Sequence, residues 1–517
     1  MSRFVRVRRV LFPIHGDEVT KFLLVGSIKF FVIMALTLTR DLKDALVVTQ
    51  CGAEAISFLK IYGVLPAATA FIALYSKMAS VLDKRPLFYA TCAPFFVFFL
   101  LFESVIYPNA PSIQPSLESA RLMVGATAEI GFRSVLAKIL SNWTSALYYV
   151  VAEIYSSVSV GVLFWQFAND VVPVHQAKRF YPLFAQMSGL APILAGQYMV
   201  RYASAASDMR TSLRRLTVAV TFSGVMTCLM YSLSSSYVER QAAENDGGGD
   251  GGRVGGGDRG DDVGVEAAGP KKKKKKPKMS LSESARFLAS SQYLRLIASL
   301  VLGYGLTVNM TDVIWKSILR RRYPDPLEYQ RFIGNFSSVV GLSTTLIIFF
   351  GVHVIRLLGW RVGALVTPVT MALVGIPFFA CVLMGLDSPA LLGTAVAAGT
   401  MQSLLSKTAK YALFDPTTQM AYIPLDEESK VKGKAAIDVL GSRLGKSGSS
   451  LLQQLLVVAF GDIITAAPAV MVLFYGLLMG WISAANRLSG LFLVKTEMRE
   501  AESGMQQNGG GKKVKVT

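Results

Sequence analysis

The stretch 435–460, AAIDVLGSRLGKSGSSLLQQLLVVAF, decides what kind of protein this is. Its middle, GSRLGKSGSS at 441–450, resembles a phosphate-binding loop, G-x-x-x-x-G-K-[ST]. In such a loop backbone N–H groups wrap the phosphates, a Lys reaches their terminal oxygens and a hydroxyl meets magnesium. It demands a buried strand before it and a soluble α/β domain around it. Gly441 and Gly445 enclose only Ser442, Arg443 and Leu444, one residue short. The preceding DEESKVKGKAAID (426–438) is charged and then helical in pattern, and the following LLQQLLVVAF is apolar. The glycines and serines are therefore read as small residues that let membrane helices pack closely. Lys434, Arg443 and Lys446 would offer charge to a cavity or to lipid headgroups.

The rest of the chain supports a membrane setting. Its 517 residues are 52% hydrophobic, with a mean hydropathy of +0.44, well above an average soluble domain. Apolar windows long enough to cross the hydrocarbon recur near residues 20–46, 56–77, 87–106, 140–168, 181–203, 215–234, 290–318, 333–354, 362–385, 390–409, 434–460 and 465–489. The expected fold is an all-α polytopic membrane protein of about twelve transmembrane helices in two six-helix halves, the major-facilitator layout with a site between halves. The expected organisation is a basic arm (1–19), an N-terminal half (20–235), a charged linker (236–280), a C-terminal half (281–490) and a tail (491–517). The linker, ENDGGGDGGRVGGGDRGDDVGVEAAGPKKKKKKPK, is Gly-rich and charged, without the apolar residues that a core requires, and is expected to be disordered.

Charge gives orientation and excludes several functions. The net charge is +19, yet residues 239–280 hold ten Lys and Arg against eight Asp and Glu, so +17 of it lies outside that segment, much of it in the spans and short loops. The N-terminal arm, SKMASVLDKRP, VHQAKRF, the polylysine linker, the segment from KTAKYALF to KVKGK and the tail KKVKVT all fall on one side, which the positive-inside bias makes cytosolic or stromal. Two basic loops, RYASAASDMRTSLRR (201–215) and LRRRYPDPLEYQR (319–331), run against that bias. Four dispersed cysteines and three histidines imply neither a disulfide framework nor a metal site. The opening MSRFVRVRRVLFPIHGDE lacks a signal-peptide pattern. No cofactor, nucleic-acid partner or enzymatic activity is expected; the broken loop and the absence of a metal cluster argue against a nucleotidase.

Ionisable residues inside spans are costly, roughly 2.5–3.5 kcal/mol each on insertion scales, and mark cavities or ion pairs. Glu153 sits deep within WTSALYYVVAEIYSSVSVGVLFWQF. Asn309, Asp312 and Lys316, spaced by three and then four residues, share one helical face. Arg40, Asp41, Lys43 and Asp44 cluster in the first span, where pairing of Arg40 with Asp44 at i,i+4 would leave Lys43 available for a ligand.

At RDLKDALVVTQCGAEAISFLKIYGVLP, FWQFANDVV, AKRFYPLF, DVIWKS, KYALFDPTTQMAYIPLDEESKVKGKAAIDV and LGKSG the chain resembles the ATP/ADP translocase family of plastids and obligate intracellular bacteria. The resemblance covers nearly all of the membrane part. It implies a major-facilitator-like carrier of nucleoside di- and triphosphates, working by exchange or in some members with protons. With the linker's composition, it points to the plastid inner envelope of an alga such as a diatom; the alternative is a bacterial inner membrane or the plasma membrane of an intracellular parasite. Carried over by motif, the functional charges are Lys43, Glu153, Asp312 and either Lys434 or Lys446. The chain departs from the exchangers at Asp312, where they carry Glu. The shorter side chain withdraws the charge, so acceptance of several bases is expected instead of strict ATP/ADP exchange.

The expectation from the sequence is thus a monomeric bilayer protein that moves nucleoside triphosphates and diphosphates by alternating access. Lys43, Lys316, Lys434 and Lys446 would hold the phosphate tail. Glu153 and Asp312 would pair with those lysines when the site is empty, and Asn309 would be one of the few neutral groups able to read a base.

Overall fold

The computed structural model describes residues 14–247 and 281–509, and these are helical with no strand among them. The helices are α1 (Val19–Cys51), α2 (Ala55–Val81), α3 (Lys84–Ile113), α4 (Leu117–Val124), α5 (Phe132–Ser141), α6 (Trp143–Val171), α7 (Val174–Tyr198, continuing as Met199–Ala203) and α8 (Met209–Gly247). The second part holds α9 (Leu281–Ser290), α10 (Gln292–Arg322), α11 (Pro326–Leu383), α12 (Pro389–Ala409, continuing through Met420), α13 (Glu427–Phe460) and α14 (Ala467–Gly509). Gly359, at φ 82°, breaks α11 into two arms, because only glycine takes that backbone conformation without strain. Counting the arms separately, the described residues hold twelve long helical segments, eight of which are apolar enough by composition alone to cross a bilayer. The helices run past the expected spans at several ends, α8 into the stretch assigned to the linker. Most of the basic arm, residues 248–280 of the linker and the end of the tail lie outside the described residues.

The stretch 441–450 is an uninterrupted part of α13. Gly445 packs against Gly305 of α10, where an added Cβ would meet the opposing backbone within 3.5 Å. Small residues serve here to bring two helix backbones together, as membrane helices require in the absence of a hydrophobic force between them. The same device joins the halves along α7 and α11. A methyl group on Gly196 would collide with the Gly334 carbonyl and with Ser338, and one on Gly189 with Thr345.

Each half has its own apolar core. One is built from α1, α3, α6, α7 and α8, around Phe99, Tyr155, Phe164 and Phe184. The other surrounds Trp315, Phe378, Phe474 and Trp481 in the C-terminal half. This second core also takes in Val47, Val48, Ile56 and Phe58 from the α1–α2 corner, Val135 of α5 and Tyr149 of α6. With the end bearing the start of α1 called lower, the two halves therefore share a core at the upper end. Exposed Leu229, Leu373, Leu455, Val472 and Met479 face outward, as lipid-covered helices require.

Candidate functional site

A cavity of about 1000 Å³, counting its mouth, lies between the halves. The space within it open to water-sized molecules is about 290 Å³, near the lower end of the range for small-molecule pockets. α1 contributes Arg40, Asp41, Lys43 and Asp44, α2 Lys60, and α6 Tyr149, Glu153 and Ser156. From the other half come Asn309, Asp312, Trp315 and Lys316 of α10, Phe336 and Ser337 of α11 and Lys407 of α12. Five cations thus face four carboxylates in one cavity.

The charges form a continuous chain across the interface. Lys43 contacts Asp44 at 2.8 Å and Glu153 at 3.3 Å, with its ammonium 4.1 Å from the Tyr149 ring centre. Asp44 reaches across to Lys316 at 2.9 Å, and Lys316 meets Asp312 at 2.7 Å. Lys407 approaches Asp312 at 3.7 Å and lies over the Phe336 ring at 4.8 Å. Lys43 and Lys316 are at most a tenth exposed. Ions so placed need partners, since an unpaired charge in a low-dielectric site costs several kcal/mol, on the order of 3–5 when a buried pair is broken.

A hydrogen-bonded network borders the cavity where α2, α10 and α13 meet. Lys60, in a π-helical turn of α2, donates to Asn309 Oδ1 at 2.9 Å, while Asn309 Nδ2 donates to the Gly305 carbonyl at 2.7 Å. Gln453 of α13 donates to the Asn309 carbonyl at 2.8 Å and is hydrogen-bonded to Ser57 of α2. Gln454 donates to the Ser57 carbonyl at 3.0 Å, and Ser317 donates to Glu54 at 3.4 Å. This polar clasp ties the upper ends of α1 and α2 to α10 and α13. On the lower side Arg40 and Tyr411 remain substantially exposed.

The structure brings together Lys43, Glu153, Asn309, Asp312 and Lys316. Lys434 stands elsewhere: it is exposed and donates to Gln419 at 2.7 Å, outside the cavity wall. The Lys446 side chain lies outside the described residues. The expected Arg40–Asp44 pair is not formed. Arg40 instead meets Asp41 at 3.0 Å and donates to Ser337 at 3.3 Å, because Asp44 is turned into the field of two lysines, Lys43 and Lys316. Lys43 is accordingly held by two carboxylates. Lys60 and Lys407 escaped the sequence reading. Each is a lysine within an apolar stretch, FLKIYG and LLSKTA, and that was the signal available.

Such a cavity can bind a polyanion by exchanging internal carboxylates for substrate oxygens. The fold is that of the nucleoside transporter NupG, a point mutant of which superposes with a TM-score of 0.51 at 12% identity over 90% of this chain and 99% of that one. The chain is 38% identical over 513 residues to ADP,ATP carrier protein 1 of Chlamydia trachomatis serovar D, covering 96% of this chain and 94% of the relative. It is 37% identical over 514 residues to the chloroplastic ADP,ATP carrier protein 2 of Arabidopsis thaliana, covering 96% and 78%. Residues 1–492 match the profile of the TLC ATP/ADP transporter family, and with a match of that extent the chain belongs to this family.

Proposed function

We propose that this protein carries nucleoside triphosphates and diphosphates across a membrane in exchange for one another, by alternating access at the central cavity. The observation that carries the reading is the Lys316–Asp44 bridge at 2.9 Å, which joins the two halves through the very cations a polyphosphate needs. A charge of about −4 entering such a site requires several cations to offset its desolvation. Lys43, Lys316, Lys60 and Lys407 supply them, with Arg40 at the lower rim.

The pairing also explains why exchange is favoured over one-way movement. In the empty cavity Asp44, Glu153 and Asp312 hold the lysines, and the bridge to Asp44 together with the contacts of Arg40 and Asp41 to Ser337 resists separation of the halves. A bound polyphosphate takes over the lysines and loosens those bonds. The ligand then has different affinities for the two states, without which it could not drive a conformational change. The loaded carrier reorients; the empty one is held.

Breadth of base acceptance belongs to the same proposal. Most polar side chains of the cavity wall are charges, suited to phosphates. Asn309 already donates and accepts within the protein, and Gln402 stands outside the wall. Phosphate contacts position a nucleotide without identifying its base, and strong discrimination needs buried polar groups that the wrong base leaves unpaired. We place the protein in a plastid inner envelope, consistent with the name of the Arabidopsis relative. The test is uptake of labelled ATP by reconstituted protein, with the label recovered inside as intact nucleotide and with ADP, GTP, CTP and UTP as competitors. Inhibition by all four supports the reading. Release of phosphate in place of uptake refutes transport, and inhibition by ADP alone refutes breadth.

A further inference from the structure

Above the polar clasp, two cavities share the side chains of Lys138 and Arg320. The one of about 600 Å³, counting its mouth, is walled by Gln50 at the end of α1, Lys138 and Ser141 of α5, Asn142 before α6 and Arg320 at the end of α10. No carboxylate lines it. Lys138 and Arg320 are half-buried, and neither is ion-paired among the described residues. The larger cavity also holds three acids: Glu54, which accepts from Ser317, Glu129, which faces Arg121 at 3.8 Å, and Asp462, which caps the backbone of Ile464 and Thr465. Gln50 accepts from Ser145 through Oε1, which leaves its amide N–H groups for another partner.

In the smaller cavity two cations that form no ion pair among the described residues meet no carboxylate, an arrangement that suits an anion. Arg320 also belongs to one of the two basic loops that run against the charge bias of the chain. It lies four residues beyond Lys316 on α10, and therefore on the same helical face about 6 Å higher. Arg320, Lys316 and Asp312 make a charged stripe, continued by Asn309, that leads from this upper cavity to the central one. The guanidinium fork suits a phosphate's paired oxygens better than an ammonium does.

We propose that the cavity formed by Gln50, Lys138, Asn142 and Arg320 is a docking site for the polyphosphate tail of a nucleotide arriving from the upper side, which is passed along α10 to Lys316 when the clasp opens. This rests on the transport reading above and adds a sidedness to it. The site serves capture from one face only, because a nucleotide entering from below meets Arg40 and the central lysines first.

The test uses the full chain in intact expressing cells and in inverted membrane vesicles, which present opposite faces. Lys138→Gln and Arg320→Gln are each expected to raise the KM for ATP about tenfold, about the effect of losing one partly solvated phosphate contact. The rise is expected from the upper face alone, with kcat little changed and with Lys138→Arg retaining the wild-type KM. Inorganic tripolyphosphate, offered at the upper face, should compete in the wild type and lose that competition in Lys138→Gln. Reconstitution in pure phosphatidylcholine separates a soluble polyphosphate from an anionic lipid headgroup: persistence of the KM shift there supports the proposal, and its disappearance overturns it. Equal shifts from both faces, or no shift in folded protein, also overturn it. Transport by the wild type in such a result leaves the central site's function standing, whereas a wild type that moves no nucleotide removes both.

Discussion

Replacing Lys316 by Gln removes the ammonium that joins Asp44 of one half to Asp312 of the other, at 2.9 and 2.7 Å. At 2.7 Å the bare attraction is ~6 kcal/mol with an effective dielectric of about 20, most of it offset by desolvation. What counts is the charge left behind. Asp44 keeps Lys43 at 2.8 Å, but the ion pair left to Asp312 among the described residues is the longer one to Lys407 at 3.7 Å, so Asp312 is the stranded group. Breaking a buried pair in this way costs about 3–5 kcal/mol, and partial cover by Lys407 puts this case near ~3 kcal/mol. Lys316→Gln should therefore lower the Tm of the purified protein, and Lys316→Gln combined with Asp312→Asn should recover most of that loss. Transport should behave differently. Loss of a charge-assisted phosphate contact, about 1.5–3 kcal/mol, lowers kcat/KM by roughly ten- to a hundredfold, and the double variant should not restore it. The assay is labelled-ATP uptake in proteoliposomes beside thermal unfolding of the same preparations. Wild-type uptake by Lys316→Gln, or recovery of transport in the double variant, would show that the lysine is structural and touches no substrate.

Lys43→Gln should likewise reduce kcat/KM at least tenfold by the same reasoning, while Lys434→Gln, exposed and hydrogen-bonded to Gln419, should stay within about twofold in the same uptake assay. Cysteines at Ser57 and Gln453, which are hydrogen-bonded across the clasp, should cross-link under oxidation and stop uptake until reduced; free transport by the cross-linked protein would mean that this end does not open. Gly196→Ala inserts a methyl against the Gly334 carbonyl and Ser338, an overpacking of about 1–3 kcal/mol to be read as a lower Tm; an unchanged Tm would mean that the α7–α11 seam is looser than its geometry indicates.

Local pattern made much of this architecture legible in the sequence, and tertiary placement hid the rest. Span number and the inward stripe Asn309, Asp312 and Lys316 follow from hydropathy and helical period, both properties of one segment. Glu153 announced itself as a carboxylate deep in an apolar run. The partner of Asp44 could not be read this way. An i,i+4 rule points it at Arg40, but a carboxylate at a helix interface answers to every cation that the opposite half brings near, and Lys316 prevails. Lys60 and Lys407 were missed because a single lysine in a helix gives no clue to its facing neighbours. Lys434 was expected in the cavity because its motif is charged and sits at the start of a span. Its α13 turn lies at the lower end, away from the cluster.

The central claim is that nucleotide releases a carrier which is held when empty, and counter-exchange measures this directly. Proteoliposomes preloaded with unlabelled ATP, with ADP or with buffer alone are given labelled ATP outside at the same pH and membrane potential. The account predicts that either internal nucleotide raises the initial uptake rate by about tenfold or more, as expected when the empty carrier must break the ion pairs around Lys316 without a substitute. Equal rates in loaded and buffer-filled vesicles would contradict it, because they would show that the unoccupied cavity reorients as readily as the occupied one.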